Sequence, residues 1–315
     1  MMTDLPSSWT YAAPAFDVPA GTCDSHAHVI APDGSGLIAQ RRYTPAPAPE
    51  EEYFRMLDSL RIHRGVLVQP SVYGTDNSYL LATLRRNPKR LRGVAVLHAA
   101  VAGSTQGPAH HHATDETLAD MHAAGVRGVR INALFGGGAS LSNIDALARC
   151  IAPLGWHLQL YVDGQTLLAL RTTLEALPCA VVFDHMGHVE TGEGTDGKAF
   201  QALLALVRDH GHWVKLSGAN RVTRNGTTHF DEIVPLAKTL ADAAPERVLW
   251  GSDWPHVGLA TWHDTGELFN LVPRWLPDPA ARRLLLVDNP ARLYGFESDV
   301  SDGASSDASA GSPID

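Results

Sequence analysis

Short β-branched apolar runs alternate with longer segments whose apolar residues recur at helical spacing, and the alternation continues through most of the chain. Strands are predicted at Thr22 to Val29, Gly65 to Gln69, Leu91 to Val96, Val126 to Ile131, His157 to Tyr161, Ala180 to Phe183, Trp213 to Leu216 and Arg247 to Trp250. Helices are predicted at Pro49 to Leu60, Ser78 to Asn87, Asp115 to Ala124, Asn143 to Leu154, Gln165 to Leu177, Lys198 to His210, Asp231 to Ala244 and Asp278 to Val287. Strands alternating with helices imply a parallel sheet with right-handed crossovers. Eight such units predict an α/β fold, a (β/α)8 TIM-like barrel, with its chemistry at the C-terminal ends of the strands.

Polar residues stand at several of those ends. Cys23-Asp24-Ser25-His26-Ala27-His28 closes the first strand, Phe183-Asp184-His185-Met186-Gly187 the sixth, and Trp250-Gly251-Ser252-Asp253-Trp254-Pro255-His256 the eighth. Residues i and i+2 share a strand face, so His26 and His28 are expected side by side with Asp24 below them. One strand-end histidine is ordinarily a hydrogen-bonded core residue, but three strand ends offering His and Asp together point to catalysis. A hydrolytic site needs a base for water and donors for a developing oxyanion, roles open to Asp253 and to the imidazoles of His26, His28 and His185. The same residues are zinc-ligand types, so zinc stays as the alternative to a site without a metal or other cofactor.

Arg127 and Arg130 lie three apart on one strand and so face opposite sides; Arg130, nearer the strand end, is expected inward. Arg221, in a polar loop after the seventh strand, can meet a carboxylate bidentately. Tyr43 sits in a Pro-rich loop, where an aromatic serves as cover or as a ligand contact. Lys215 shares the parity of Ser217 and either faces the barrel or lays its stem along a layer edge.

Composition narrows the field. With 315 residues, 44% of them hydrophobic, the chain can form one barrel over residues 1–296. Residues 297–315 form a Ser/Asp-rich acidic tail, expected to be disordered. The net charge of -9 argues against nucleic-acid binding. No apolar stretch is long enough to span a membrane, and no secretory signal is visible. Three widely spaced cysteines make no disulfide framework. A cytoplasmic protein with a small-molecule partner is expected, of undetermined oligomeric state. The Gly103 to Thr114 stretch reads as a surface loop in which His110-His111-His112 reflects composition.

The strand-end motifs, together with Arg42-Tyr43-Thr44-Pro45, Gly74-Thr75-Asp76-Asn77, Gly125-Val126-Arg127-Gly128-Val129-Arg130 and Val287-Asp288-Asn289-Pro290-Ala291-Arg292-Leu293-Tyr294, resemble the amidohydrolase superfamily. Within it they are most similar to the metal-independent 2-pyrone-4,6-dicarboxylate lactonases and their relatives. The resemblance implies a hydrolase of an anionic lactone in aromatic-compound catabolism, with Asp253 as general base and His26, His28 and His185 around the lactone carbonyl. It also implies that Arg127, Arg130 and Arg221, with Tyr43, Tyr161 and Asn77, grip the substrate. His188 stands where these relatives carry an arginine, which leaves room for a different anionic lactone. Metal-dependent members usually add a His or a modified Lys at the fourth or fifth strand; Arg130 and Tyr161 occupy those ends here. A zinc lactonase and a metal-dependent aromatic-acid decarboxylase are the rival readings.

Overall fold

The computed structural model describes residues 10–99, 111–136, 139–223, 230–259 and 261–297. The acidic tail from residue 298 and His110 lie outside them. Eight parallel strands pair in chain order: β1 (Cys23–Ala27), β2 (Arg64–Val68), β3 (Leu91–Ala95), β4 (Val126–Asn132), β5 (His157–Tyr161), β6 (Val181–Phe183), β7 (Trp213–Leu216) and β8 (Val248–Trp250). The ring closes where the chain leaves β8. There Asp253 N donates to His26 O at 2.7 Å and His28 N to Trp254 O at 2.8 Å. The architecture is the expected (β/α)8 barrel.

Crossovers are made by α1 (Glu50–Ser59), α2 (Ser78–Arg86), α3 (Asp115–Ala123), α4 (Ile144–Ile151), α5 (Gly164–Glu175) and α6 (Lys198–Asp209). The short α7 (Ala219–Val222) and then α8 (Val234–Ala243) follow β7. Helix starts follow local chemistry: Thr114 caps α3 by accepting from Thr117 N, and Asp163 caps α5 by accepting from Thr166 N. After β8 come α9 (Thr265–Phe269), α10 (Val272–Trp275), α11 (Pro279–Arg283) and α12 (Asn289–Tyr294). The helix expected to stop near Val287 continues through a π turn at Leu284–Asp288 into α12. Pro290 permits this because it falls in the first turn of α12, where its missing N–H costs nothing. The hydropathy pattern did not reveal α7, α9 or α10, whose four or five residues are too short to show a helical period.

Strand register builds the barrel interior in layers. Val66, Val68, Val94, Val182 and Leu249 cluster with Cys23 and Trp213, and Tyr294 and Phe296 pack against them. Fully burying each such aliphatic side chain contributes about 1.5–3 kcal/mol. Arg130 pairs with Gln159, Gln159 with Val182, and Lys215 with Leu249, so a polar layer meets an apolar one across the same faces.

The alternation expected along β1 breaks, because its register against β2 shifts between Asp24 and Ala27. Asp24 therefore does not lie beneath the two histidines. Its Oδ2 accepts from Tyr53 of α1 at 3.1 Å and from Ser252 Oγ at 2.5 Å, while its Oδ1 accepts from Ser252 N and His26 N. Asp24 ties β1 to the segment after β8, and burial pushes its carboxyl up to about 6 against those hydrogen bonds. Cys23, Cys150 and Cys179 are free thiols. Among the described residues no helix is long and apolar enough to cross a membrane.

Candidate active site

The C-terminal ends of five strands bring one group of side chains into contact. His26 and His28 come from β1, Arg130 from β4, Tyr161 from β5, Asp184 and His185 from the end of β6, and Asp253 from the end of β8. His28 Nε2, His26 Nε2 and His185 Nε2 lie 3.7, 3.8 and 3.6 Å from one oxygen, Asp253 Oδ1. Neither that oxygen nor His26 Nε2 has a hydrogen-bond partner among the described residues. All four side chains are buried.

Backbone conformation sets these directions. His185 (φ 50°), Asp253 (φ 60°) and His256 (φ 64°) occupy the left-handed region, which costs of order 1–3 kcal/mol for a residue with a side chain. The surroundings hold them there: Asp253 N donates to His26 O, and Asp253 O accepts from His256 N. Two glycines make the approach possible. A Cβ on Gly251 would lie 2.6 Å from His26 Cβ, and one on Gly218, whose φ is +66°, would lie 2.7 Å from the His185 ring.

The far side of each imidazole determines what its near side offers. His28 Nδ1 lies 2.7 Å from the Val68 carbonyl and must donate to it. Neutral His28 therefore turns a lone pair, not a donor, toward Asp253. This corrects the expectation that all three imidazoles supply N–H groups to an oxyanion. His185 Nδ1 meets Ser217 Oγ at 2.9 Å, and His26 Nδ1 lies 3.1 Å from Asp184 Oδ1 and 3.2 Å from Lys215 Nζ. Burial, reinforced by Lys215, drives His26 down to about 3, and burial also holds His28 and His185 well below the ordinary imidazole value. All three are neutral near pH 7.

The carboxylates are tuned in opposite directions. Burial raises Asp253, opposed by the Arg221 guanidinium, whose Nε donates to Asp253 Oδ2. Burial would also raise Asp184, but Lys215, His26 and Arg130 overcome it and hold this carboxyl well below the usual range. Asp184 Oδ2 accepts from Arg130 at 3.2 Å and from Gln159 at 3.1 Å.

Four of the six residues expected to contact substrate reach this centre. Arg130 is buried, its guanidinium 5.5 Å from the Tyr161 ring centroid, and its Nε has no hydrogen-bond partner among the described residues. Tyr161, Phe135 and Tyr43 form an aromatic wall, with centroids 5.9 and 5.7 Å apart in succession. Arg221 grips Asp253 and the Val257 carbonyl, so its first partner is the candidate base.

Arg127 and Asn77 do not join them. Arg127, near the N-terminal end of β4, is half-buried and donates to the carbonyls of His122 and Val126; strand alternation sends it away from Arg130. Asn77 spends its amide on Thr75 O, Val96 O and Val96 N, bracing the β2–α2 loop against the end of β3. His188 packs 5.4 Å from Tyr161. It also borders a cavity of about 830 Å³ whose lining carries four carboxylates, Asp163, Glu190, Glu193 and Asp196, against one ammonium, Lys198, a net acidic rim that disfavours anions. His111 meets Thr75 Oγ1 in the loop region.

Site residues that the sequence reading left without a role are Asp184, Gln159, Ser217 and Lys215. Lys215 faces the barrel, fully buried, rather than a layer edge. Parity supplied the available signal: Gln159 with Tyr161 on β5, and Lys215 with Ser217 after β7.

A family model described as amidohydrolase matches residues 23–296. A 4-sulfomuconolactone hydrolase of Rhizobium radiobacter is 36% identical over 288 residues, covering 89% of this chain and 92% of the relative. A 2-pyrone-4,6-dicarboxylate hydrolase of Comamonas testosteroni is 33% identical, covering 89% and 92%. Among solved structures, a probable 2-pyrone-4,6-dicarboxylic acid hydrolase of Acinetobacter baumannii with citric acid bound superposes with a TM-score of 0.74. It is 28% identical and covers 88% of this chain and 100% of the other.

Proposed function

Since the chain belongs to the amidohydrolase family, we propose that it hydrolyses an anionic lactone without a metal, Asp253 taking the proton of the attacking water. The observation that carries this reading is the convergence of three neutral imidazoles on Asp253 Oδ1, with Arg221 held on Oδ2. One carboxylate oxygen is committed to a cation and the other is left for water.

In the reaction, water gives a proton to Asp253 Oδ1 as its oxygen bonds to the lactone carbonyl carbon. The electron pair of the C=O bond moves to oxygen, where an imidazole N–H stabilises it. Collapse of the tetrahedral intermediate breaks the ring C–O bond, and the proton held by Asp253 passes to the departing oxygen. His28 Nε2, a lone-pair site, accepts the second hydrogen of the water and orients its attack. Removing one oxyanion donor of this kind typically costs about 3 kcal/mol of transition-state stabilisation.

Arg130 is the group best placed for the substrate's anionic arm, since its Nε is uncommitted and Tyr161 supports its plane. The relatives named for 2-pyrone-4,6-dicarboxylate and 4-sulfomuconolactone support an anionic substrate of that class. 2-Pyrone-4,6-dicarboxylate or a close analogue is the first substrate to test.

The donor set also fits a divalent cation. His26, His28 and Asp253 offer ligand atoms within reach of one ion, and a zinc ion held by them would supply Lewis-acid activation of water or carbonyl. Asp184 lies behind His26, as a carboxylate commonly does behind a metal-ligating histidine, but against that reading the ammonium of Lys215 shares the same side of the ring.

The test is turnover of 2-pyrone-4,6-dicarboxylate by the purified protein, with metal content determined and a chelator added. Activity is expected to survive chelation, and Asp253→Asn to lower kcat by about 10² to 10⁴ with binding retained. Stoichiometric zinc whose removal abolishes turnover would replace this reading with the cation-dependent one. A folded Asp253→Asn variant with full turnover would remove Asp253 as base.

A further inference from the structure

Lys215 is wholly buried at the centre of the barrel, and the chemistry above gives it no task. Its ammonium carries three hydrogens and has three acceptors in range. Gln159 Oε1 lies at 2.7 Å, His26 Nδ1 at 3.2 Å and Asp184 Oδ1 at 3.3 Å. The Gln159 amide cannot be turned around without loss, because its Nε2 donates to Asp184 Oδ2 at 3.1 Å.

Two proton placements on His26 then compete. With the proton on Nδ1, the ring N–H lies 3.1 Å from Asp184 Oδ1 but is not aligned to donate to it, and it also faces the ammonium and takes away one acceptor of Lys215. With the proton on Nε2, Nδ1 is bare and accepts from the ammonium, which also donates to Gln159 Oε1 and keeps its ion pair with Asp184 Oδ1. A buried charged donor left unmade is among the costlier defects in a protein interior. Asp184 loses little in the second arrangement, since it keeps Lys215 on Oδ1 and Arg130 with Gln159 on Oδ2.

We propose that Lys215 is a positioning residue that holds His26 as its Nε2–H tautomer, so that His26 presents a donor, and His28 a lone pair, to the same space beside Asp253. The two histidines of His26-Ala27-His28 then have opposite polarity. His28 and Asp253 accept the hydrogens of the attacking water, while His26 is left to donate to the carbonyl oxygen as it becomes an oxyanion. This inference rests on the metal-free reading, because a cation bound at Nε2 leaves no room for a proton there.

Nitrogen-15 NMR of the histidine side chains at neutral pH tests it, with the His26 signals identified by their loss in His26→Asn. In the wild type, His26 is expected to show a protonated-type Nε2 and a bare Nδ1. In Lys215→Met, Asp184 becomes the remaining partner of Nδ1, so the proton is expected to move to Nδ1. Turnover should then fall about ten- to a thousand-fold, chiefly in kcat, with KM for the anionic substrate little changed. A wild-type His26 protonated on Nδ1 would overturn the role of Lys215 and leave metal-free hydrolysis intact. A metal-shifted Nε2 with stoichiometric cation would overturn both. If Lys215→Met does not fold, the wild-type spectrum alone decides; if it folds with the tautomer unchanged, Lys215 does not set it.

Discussion

Arg221→Met separates two roles that the sequence alone merges. The substitution keeps an apolar stem of similar length and removes the guanidinium that donates to Asp253 Oδ2 and, at 2.9 Å, to Val257 O. Burial raises Asp253, and Arg221 opposes it more strongly than Arg130 does, so removing the Arg221 guanidinium leaves burial opposed by Arg130 alone and the carboxyl rises further. A base works only when ionised; the acid limb of kcat/KM must therefore move to higher pH. The lost contact is one charge-assisted hydrogen bond, about 1.5–3 kcal/mol, which at a fixed pH near 7 corresponds to about a ten- to hundred-fold fall in kcat/KM. Because the lesion falls on the base, neutral and anionic lactones should suffer alike. Arg130→Met, whose guanidinium reaches Asp184 rather than Asp253, should instead penalise anionic lactones most. Full pH profiles with one neutral and one dicarboxylate lactone, alongside melting temperatures, provide the assay. An unmoved acid limb with a loss confined to the anionic substrate would refute the reasoning and make Arg221 a substrate clamp alone.

Acidification should destabilise the fold. Burial holds His157 and His256 at about 3 against about 6.5 when unfolded, so the stability they give above pH 6.5 falls as pH drops toward 3, by about 1.4 kcal/mol per pH unit per histidine. Asp24, raised to about 6, and Asp253, also raised by burial, act in the opposite sense, but His26, likewise at about 3, and the depressed Asp184 add to the two histidines; a melting temperature flat from pH 7.5 to 4.5 would contradict the balance. Asn77→Ala should cost about 1–3 kcal/mol by stranding the Val96 backbone groups, while the folded fraction keeps its kcat/KM; a selective rise in KM would return Asn77 to the substrate site. Gly218→Ala should depress kcat more than stability, since the new Cβ meets the His185 ring 2.7 Å away; a fully active variant would show that His185 tolerates displacement.

What could be read from the chain divides along a physical line. Barrel order and the inward choice of Arg130 over Arg127 follow from periodicity, because each strand carries its own alternation and needs no knowledge of its neighbours. Asp24 escaped that logic because a register shift within β1 turns consecutive positions out of phase, and a register shift leaves no mark in hydropathy. Arg221 and Asn77 escaped it for another reason: a loop side chain's partner is chosen by tertiary proximity, so a guanidinium that looks free to meet a substrate is already on Asp253, and an amide that looks like a ligand contact is holding Val96. Lys215 lies between the two cases. Parity with Ser217 permitted an inward lysine, but its meaning depends on the facing strands placing Gln159 Oε1, Asp184 Oδ1 and His26 Nδ1 around one ammonium. That conjunction needs three strands in register, so one strand's pattern could place the lysine in the barrel but could not say which proton it controls.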